Sequence, residues 1–510
     1  MDSLYLYFPV LFLVLYIISR HFLKKLQNLP PSSFPALPFI GHLYLLSKPF
    51  HRALFKVSNS YGSVVFLQFG SRPVLLVSSP LVAEECFTKN DIIFANRPDF
   101  LSGKYFGYNF TSLAWSSYGE HWRNLRRIST LEVLSSYRIQ TLSSIRSDEI
   151  NYLIRRLFRV SIESSEKIVE MKSSLFNFTF NVLSRMIAGK KYNGENSKEA
   201  MLFQDISKDT INTTPKANIL DFLPFMRWFG LHSVEEKMME LQKKRDNFMR
   251  KELDKHRRLK TSGYFPSAEV VAGKKKTIME VLLDLQKTDP EYYTDETIRN
   301  LLLILLQAGS DTSAVTLEWA FSRLLDNPEI LKTAQTEIDN QVGQDRLIDE
   351  SDMAQLPYIR CIINETLRMH PAAPLLVPHL SSEECKVAGY RVPCGTILLV
   401  NAWGIHHDST VWEDPEKFNP DRFIGFDSVK EGCKFIPFGS GRRGCPGENL
   451  AIHVIGLALG SLLQCFEWDK PNSEIIDMSE GTGFTISPKV QPLLAKCFLQ
   501  PHMVKLLSEI

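Results

Sequence analysis

Phe438-Gly-Ser-Gly-Arg-Arg-Gly-Cys445-Pro-Gly447 places one cysteine and two arginines among four glycines in ten residues. Glycine lets a backbone turn tightly or lie close against a flat ligand, so the stretch reads as a loop presenting one thiolate to a metal. After Pro446 an apolar pattern at helical spacing (Leu450, Val454, Leu457, Leu462) puts Cys445 at a helix N-terminus. Free N–H groups and the positive dipole end stabilise an anion there, which predicts a lowered thiol pKa. Two rival chemistries use parts of the same loop. Gly439-x-Gly441-x-x-Gly444 fits the dinucleotide fingerprint, with Glu467 at a suitable distance, but that fingerprint follows a strand and opens a βαβ unit, whereas this one runs into Cys-Pro. Zinc fails on spacing, because Cys433 is the only nearby cysteine and the chain has no C-x-x-C pair.

Three further constellations carry polar residues where they need a reason. Thr294-Asp-Glu caps a long helical pattern that ends near Asp326, before Asn327-Pro328. Its centre, Leu301 to Leu306, is apolar all round and therefore buried, yet Ala308-Gly309-Ser-Asp311-Thr312 follows within it. A mid-helix glycine costs about 1 kcal/mol against alanine, and a buried aspartate is rarely unpaired. The pattern fits either a kink or a proton-handling pair. Glu365 and Arg368 share one face of a helix that begins at Pro357 and closes at His370-Pro371, and Pro420-Asp-Arg422-Phe423 lies downstream. Trp122 and Arg126, four apart, share a face of a helix that starts near Ser117.

Phe438-x-x-Gly441-x-Arg443-x-Cys445-x-Gly447 resembles the haem-binding signature of the cytochromes P-450, the haem-thiolate monooxygenases. The other motifs follow in that family's order, so the resemblance covers the whole chain. It is nearest to plant microsomal members acting on isoflavonoids, other phenolics and indolic metabolites. The resemblance implies a mainly α fold, a helical triangular prism with a small β lobe. It implies a haem (heme b) whose iron takes the Cys445 thiolate, which favours O–O cleavage. Phe438, Gly441, Arg443 and Gly447 would surround that ligand, and Trp122, Arg126, His379 and Arg443 would hold the propionates. Gly309 would make room for O2, and Asp311 and Thr312 would hand protons towards it. Glu365, Arg368 and Arg422 would form a buried network.

The same resemblance assigns substrate contacts. They are Phe106 and Leu113 of the loop Phe100–Leu113, Ala308, then Ala373, Leu375, Leu376 and Val377 of a strand over Pro371–His379, and Phe484 of the turn Gly481–Pro488. The implied reaction inserts one oxygen atom into a lipophilic substrate. A flavonoid or other phenolic is favoured, and a terpenoid would fit the same apolar residues. Electrons would come from NADPH through the separate NADPH–cytochrome P-450 reductase, with Arg442, Lys434 and Lys430 as docking charges. A haem-thiolate isomerase or dehydratase would have no use for Asp311-Thr312, and a haem carrier would need no relay.

The remaining elements must position these residues. The chain has 510 residues, 44% hydrophobic and 23% charged, an ordinary globular balance. A formal charge of +2 gives no argument for nucleic acid, and eight scattered cysteines suit a reducing compartment. Leu4 to Ser19 is uncharged, with Arg20, Lys24 and Lys25 after it. Residues 1–23 therefore read as an uncleaved membrane anchor that leaves the body cytosolic on the endoplasmic reticulum. Residues 24–41 read as a basic, proline-rich hinge, of which Leu29–Gly41 cannot be helical, and 42–510 as one catalytic domain. Ser63–Phe69 and Pro73–Ser78 around Gly70 read as a hairpin. Segments from Ser136 to Arg258 read as helices, and Arg257 to Lys276 as a surface loop. The N-x-[ST] sequons at Asn109, Asn177, Asn212 and Asn364 read as chance matches in a cytosolic body.

Overall fold

The computed structural model describes residues 26–32, 35–192, 197–230, 232–261, 276–427, 429–471, 475–481 and 487–509, with residues 11, 15, 18 and 19 before them. Most of the anchor stretch and Phe484 lie outside the described residues. The site is positioned by α1 (Glu120–Ile128), α2 (Met171–Ala188), α3 (Ser197–Phe222), α4 (His232–Thr261), α5 (Asp295–Asp326), α6 (Pro357–Met369) and α7 (Glu448–Cys465). The four-stranded sheet has the order β1 (Val64–Phe69), β2 (Arg72–Val77), β7 (Ile397–Val400), β4 (His379–Leu380). β3 (Ile168–Glu170), β9 (Leu494–Leu499) and β8 (Phe466–Asp469) form a second sheet, and β5 (Cys385–Val387) pairs β6 (Tyr390–Val392). The fold is mainly helical with a small β region.

The expected hairpin is β1 antiparallel to β2, in a register that pairs Phe69 with Arg72. The hinge has no helix at residues 29–32 or 35–41, and its Pro31 carbonyl accepts from Phe66 N at 2.7 Å. α5 starts where its capping residue predicts: Thr294 Oγ1 accepts from Thr297 N at 3.2 Å. It ends at Asp326, where Asn327 Nδ2 turns back onto the Arg323 carbonyl at 2.7 Å and Pro328 opens the next helix.

α5 is the central element because it is buried on nearly every face. It packs against α2 at Gly309, where a Cβ would sit 3.1 Å from Leu183 Cδ1. Beside that contact, Thr179 Oγ1 of α2 donates to the Ser310 carbonyl at 3.0 Å. Gly309 thus also serves the approach of two helices, a second reason for glycine at this position. α7 is the one helix among the described residues apolar enough to cross a membrane, and it is mostly buried in the main core.

Two expectations about local structure fail. Pro371–Pro378 is not a strand, and only His379–Leu380 joins the sheet. Pro371, Pro374 and Pro378 have no N–H to give a ladder, and the segment turns instead, with Leu376 at φ 52°. Arg257 to Thr261 belongs to α4 rather than to a loop, so the helix runs past Arg258. Arg257 is held there by Asp295, at 2.6 and 2.7 Å.

Candidate haem site

The cysteine loop is set by backbone geometry. Gly439 and Gly441 have φ of 72° and 67°, a conformation open mainly to glycine. Cys445 N donates to the Phe438 carbonyl at 2.9 Å and Gly439 N to the Ile436 carbonyl at 3.1 Å. The two glycines do different work. Gly439 faces a cavity of about 320 Å³, within the usual range of ligand sites. Gly441 faces away from it, and a Cβ there would meet Asp91 Oδ1 at 2.6 Å and the Phe87 carbonyl at 2.8 Å. Gly441 is therefore demanded by protein packing, which corrects its placement against the cofactor. Asp91 clamps the same turn through Arg442, at 2.7 Å.

Cys445 Sγ opens onto the cavity, with Phe438, Pro446 and Gly447 beside it. The N–H groups of Gly447 and Glu448 point at the sulfur, as a helix N-terminus predicts. Burial nevertheless outweighs them and pushes the thiol up. A metal bound here would deprotonate its thiol ligand outright, and the two N–H groups would then face the thiolate.

The opposite wall is α5, whose Ile304, Leu305, Ala308, Gly309, Thr312, Ser313 and Thr316 repeat at helical spacing along the cavity. Thr312 Oγ1 donates to the Ala308 carbonyl at 2.6 Å, so its lone pairs are left to face the cavity. The neighbouring Asp311 carboxyl turns to α3 instead, where Ser207 Oγ donates to it at 2.5 Å. Ala373, Leu376 and Val377 reach the cavity, as does Leu113. Leu375 and Phe106 do not. Leu375 is buried with Ile397 and Leu399 against the sheet because the turn at Leu376 alternates the side chains. Phe106 packs among Leu220, Val234 and Met238, under the Arg245 guanidinium.

One end of the cavity is cationic. Arg126, Arg443, Trp122 and His379 line it, and so does Arg97, which sequence reasoning missed. Arg97 Nη1 donates to the Val377 and Pro378 carbonyls, each at 2.8 Å. Arg443 donates to the Ala95 and Ser116 carbonyls at 2.7 and 2.6 Å and lies 4.3 Å over the Trp122 ring. Arg126 Nη1 donates to the Gly444 carbonyl at 2.6 Å. His379 is fixed by the Phe94 carbonyl at 2.7 Å, and burial with the nearby Arg97 charge holds it neutral. Burial draws Arg443 down to about 9 and Arg97 well below its ordinary value. Guanidinium groups keep their protons in proteins, so this is the signature of a cluster awaiting anions. Among the described residues, no Asp or Glu lines the cavity. A flat, apolar group carrying carboxylates at one edge fits these walls, and haem with its propionates is such a group. The one signal of Arg97 in the sequence is that it is the sole charge between Ile92 and Pro98. Arg97→Leu is expected to lower haem retention about tenfold, the worth of one charge-assisted hydrogen bond, read as haem lost to an apo-myoglobin trap.

Behind the loop, Glu365 and Arg368 of α6 are fully buried. Arg368 makes a bidentate pair with Glu365 at 2.7 and 2.9 Å, and Arg422 Nε adds a third contact at 3.1 Å. Of the three surface cations, Arg442 and Lys434 are spent on Asp91 and Glu431; Lys430 is the most exposed. The rival readings lose their context. No strand leads into Gly439, and no cluster of three or more His, Cys, Asp or Glu able to hold a metal ion exists among the described residues.

Residues 31–494 match the family model Cytochrome P450. The chain is 48% identical to Cytochrome P450 81Q32 of Catharanthus roseus, across all of both chains. It is 45% identical to an isoflavone 2'-hydroxylase of Glycyrrhiza echinata, over 99% of this chain and 98% of that one. Among solved structures, a zebra fish cytochrome P450 with abiraterone superposes with a TM-score of 0.73 at 25% identity, over 89% of this chain and all of that one. The loop geometry, the cationic edge and these likenesses agree: the chain belongs to the cytochrome P450 family and is a haem-thiolate monooxygenase of the plant type.

Proposed function

We propose that this monooxygenase hydroxylates an isoflavonoid or related plant phenolic, with electrons from NADPH through NADPH–cytochrome P-450 reductase. The apolar wall of Leu113, Ile304, Ala308, Ala373, Leu376 and Val377, with the hydroxyls of Thr312, Ser313 and Thr316 along α5, suits a lipophilic skeleton. The observation that carries the choice of an isoflavonoid is the 45% identity to an isoflavone 2'-hydroxylase over nearly all of both chains. The haem supplies O–O bond cleavage when bound, with Cys445 as its thiolate. The chain's own residues do the rest. Arg97, Arg126, Arg443, Trp122 and His379 hold the propionate edge, Phe438 and Gly447 flank the sulfur, and Ala308 and Ala373 leave space for the substrate. Thr312 offers its oxygen to a proton inside the cavity while its own hydrogen rests on the Ala308 carbonyl, and Asp311 is the acid behind it.

Residues 1–23 would anchor the domain in the endoplasmic reticulum membrane. The neighbouring surface supports this reading. The hinge holds the β1–β2 turn through Ile40, that turn abuts the end of α3 through Ser71 and Phe222, and Phe39, Trp228 and Phe229 project into solvent nearby in sequence from these contacts, at 83%, 85% and 73% exposure. The substrate proposal is tested with microsomes carrying the chain and reductase, given NADPH and a panel of isoflavones, other phenolics and diterpenoids. Hydroxylated isoflavones are the expected product; turnover of diterpenoids alone would overturn it. Thr312→Ala is expected to keep haem and substrate binding but to lower product per NADPH about tenfold or more, with peroxide in its place. Coupling equal to the wild type would remove Thr312 from the relay.

A further inference from the structure

Asp311 and Thr312 are adjacent on α5 but face different neighbours. Thr312 lines the cavity. Asp311, 8% exposed, is turned to α3, where the buried Ser207 donates to its Oδ2 at 2.5 Å. The Ser207 hydroxyl in turn accepts from Gln307 Nε2, one turn earlier on α5, at 3.4 Å. Gln307 Oε1 accepts from Arg245 Nη2 of α4 at 2.8 Å. Arg245 is 3% exposed and is itself held by Gln242 Oε1 at 2.8 Å and the Phe106 carbonyl at 3.3 Å.

Every donor in this chain points the same way, from guanidinium to amide to hydroxyl to carboxylate. A primary amide in the middle does not pass protons along, so the chain is no wire. What it does is fix a carboxylate and favour its charged form, as hydrogen bonds to a buried anion do.

We propose that Ser207 is a positioning residue for Asp311, holding the carboxylate charged and turned away from the cavity, so that Asp311 must leave this one hydrogen bond and take a proton from water before it can deliver one towards Thr312. The assignment rests on the relay reading of Asp311 and Thr312 given above. Its consequence is that the seating of α3 and α4 on α5 governs when the acid is free to act. α3 and α4 pack on each other and meet α5 along this chain of bonds, through Ser207 and Arg245, and nothing in the packing of α5 alone would require a serine at position 207.

The charges facing the carboxyl give the sign. Burial pushes Asp311 up to about 6, while the Ser207 hydrogen bond and the Lys172 ammonium of α2 draw it down. Removing the Ser207 hydroxyl must therefore raise it further. The test is an infrared titration of the Asp311 carboxyl band in the haem-loaded full chain, assigned by its absence in Asp311→Asn. This reading needs no substrate, so it stands apart from the isoflavone proposal. The wild-type band is expected to titrate near pH 6. In Ser207→Ala it should rise by about one pH unit, the worth of a hydrogen bond to a charged group, and Ser207→Thr should bring it back. Product formed per NADPH, measured on the substrate the wild type converts best, should shift its pH dependence in the same direction. Unchanged reduced carbon-monoxide spectra identify the variants that fold, and Gln307→Leu, which removes the second link, replaces Ser207→Ala if that one does not. An Asp311 midpoint that stays in place overturns the assignment. So does a midpoint that moves while the coupling profile does not, because the bond would then be structural only. Full coupling in Asp311→Asn would remove the relay, and the role of Ser207 with it.

Discussion

Cys445→Ser is expected to abolish both the red-shifted Soret band of the reduced, carbon-monoxide-bound protein and all turnover, while the far-UV spectrum of the helical domain remains. Among the described residues, Cys445 is the only cysteine on the cavity wall. The others are buried elsewhere or, in the case of Cys394, exposed at the surface. A serine hydroxyl would meet the same Gly447 and Glu448 N–H groups, but an alcohol is a far weaker acid than a thiol. The substituted site would therefore lack an anionic donor. The arginines at the other edge do not depend on the sulfur, since Arg97 and Arg443 are held by backbone carbonyls. Some haem should thus remain, carrying the spectrum of a neutral ligand. A normal thiolate-type band in Cys445→Ser would mean that another residue binds the metal.

How far the sequence could be read depends on the kind of constraint each residue answers to. The cysteine loop, the caps of α5 and the Arg368 partner of Glu365 were legible because each rests on spacing within a short segment, whereas Arg422, 57 residues from Glu365, came from the family resemblance. Thr294 caps its own helix, and Arg368 lies one turn from Glu365. Gly441 and Gly309 were recognisable as glycines that matter, but the reasons lay across the fold, in Asp91 and Leu183. Arg97 could not be found by periodicity, because its partners, Val377 and Pro378, are some 280 residues away. Leu375 and Leu376 look alike in sequence. One left-handed residue sends the first into the sheet core and the second into the cavity.

Glu365→Gln is expected to yield little haem-loaded protein. Glu365 and Arg368 are fully buried, and Arg422 is nearly so. The one carboxylate receives both Arg368 donors, Arg422 Nε and the Asn419 N–H at 2.9 Å. Removing its charge leaves two guanidinium groups inside the protein without a counter-ion, a loss of about 3–5 kcal/mol. The neutral amide also turns one acceptor oxygen into a donor that faces other donors. The damage should reach the haem by a traceable route. Arg368 Nη1 donates to the His406 carbonyl at 2.6 Å, and His406 Nδ1 donates to the Arg368 carbonyl at 3.2 Å. His406 Nε2 accepts from Ile436 N at 3.1 Å, and burial with the Arg368 charge keeps this ring neutral, down to about 3, so that it can accept. Ile436 precedes Phe438 by two residues and receives the Gly439 N–H. The network therefore sets the shape of the cysteine loop from behind. Lys434→Ala, which removes a partly exposed pair with Glu431 on the same stretch, should change stability by no more than about 0.5 kcal/mol. Haem content per folded protein, compared between the two variants, is the measurement. Equal content in Glu365→Gln and Lys434→Ala would mean that the loop keeps its form without the buried charges, and that the route through His406 carries nothing.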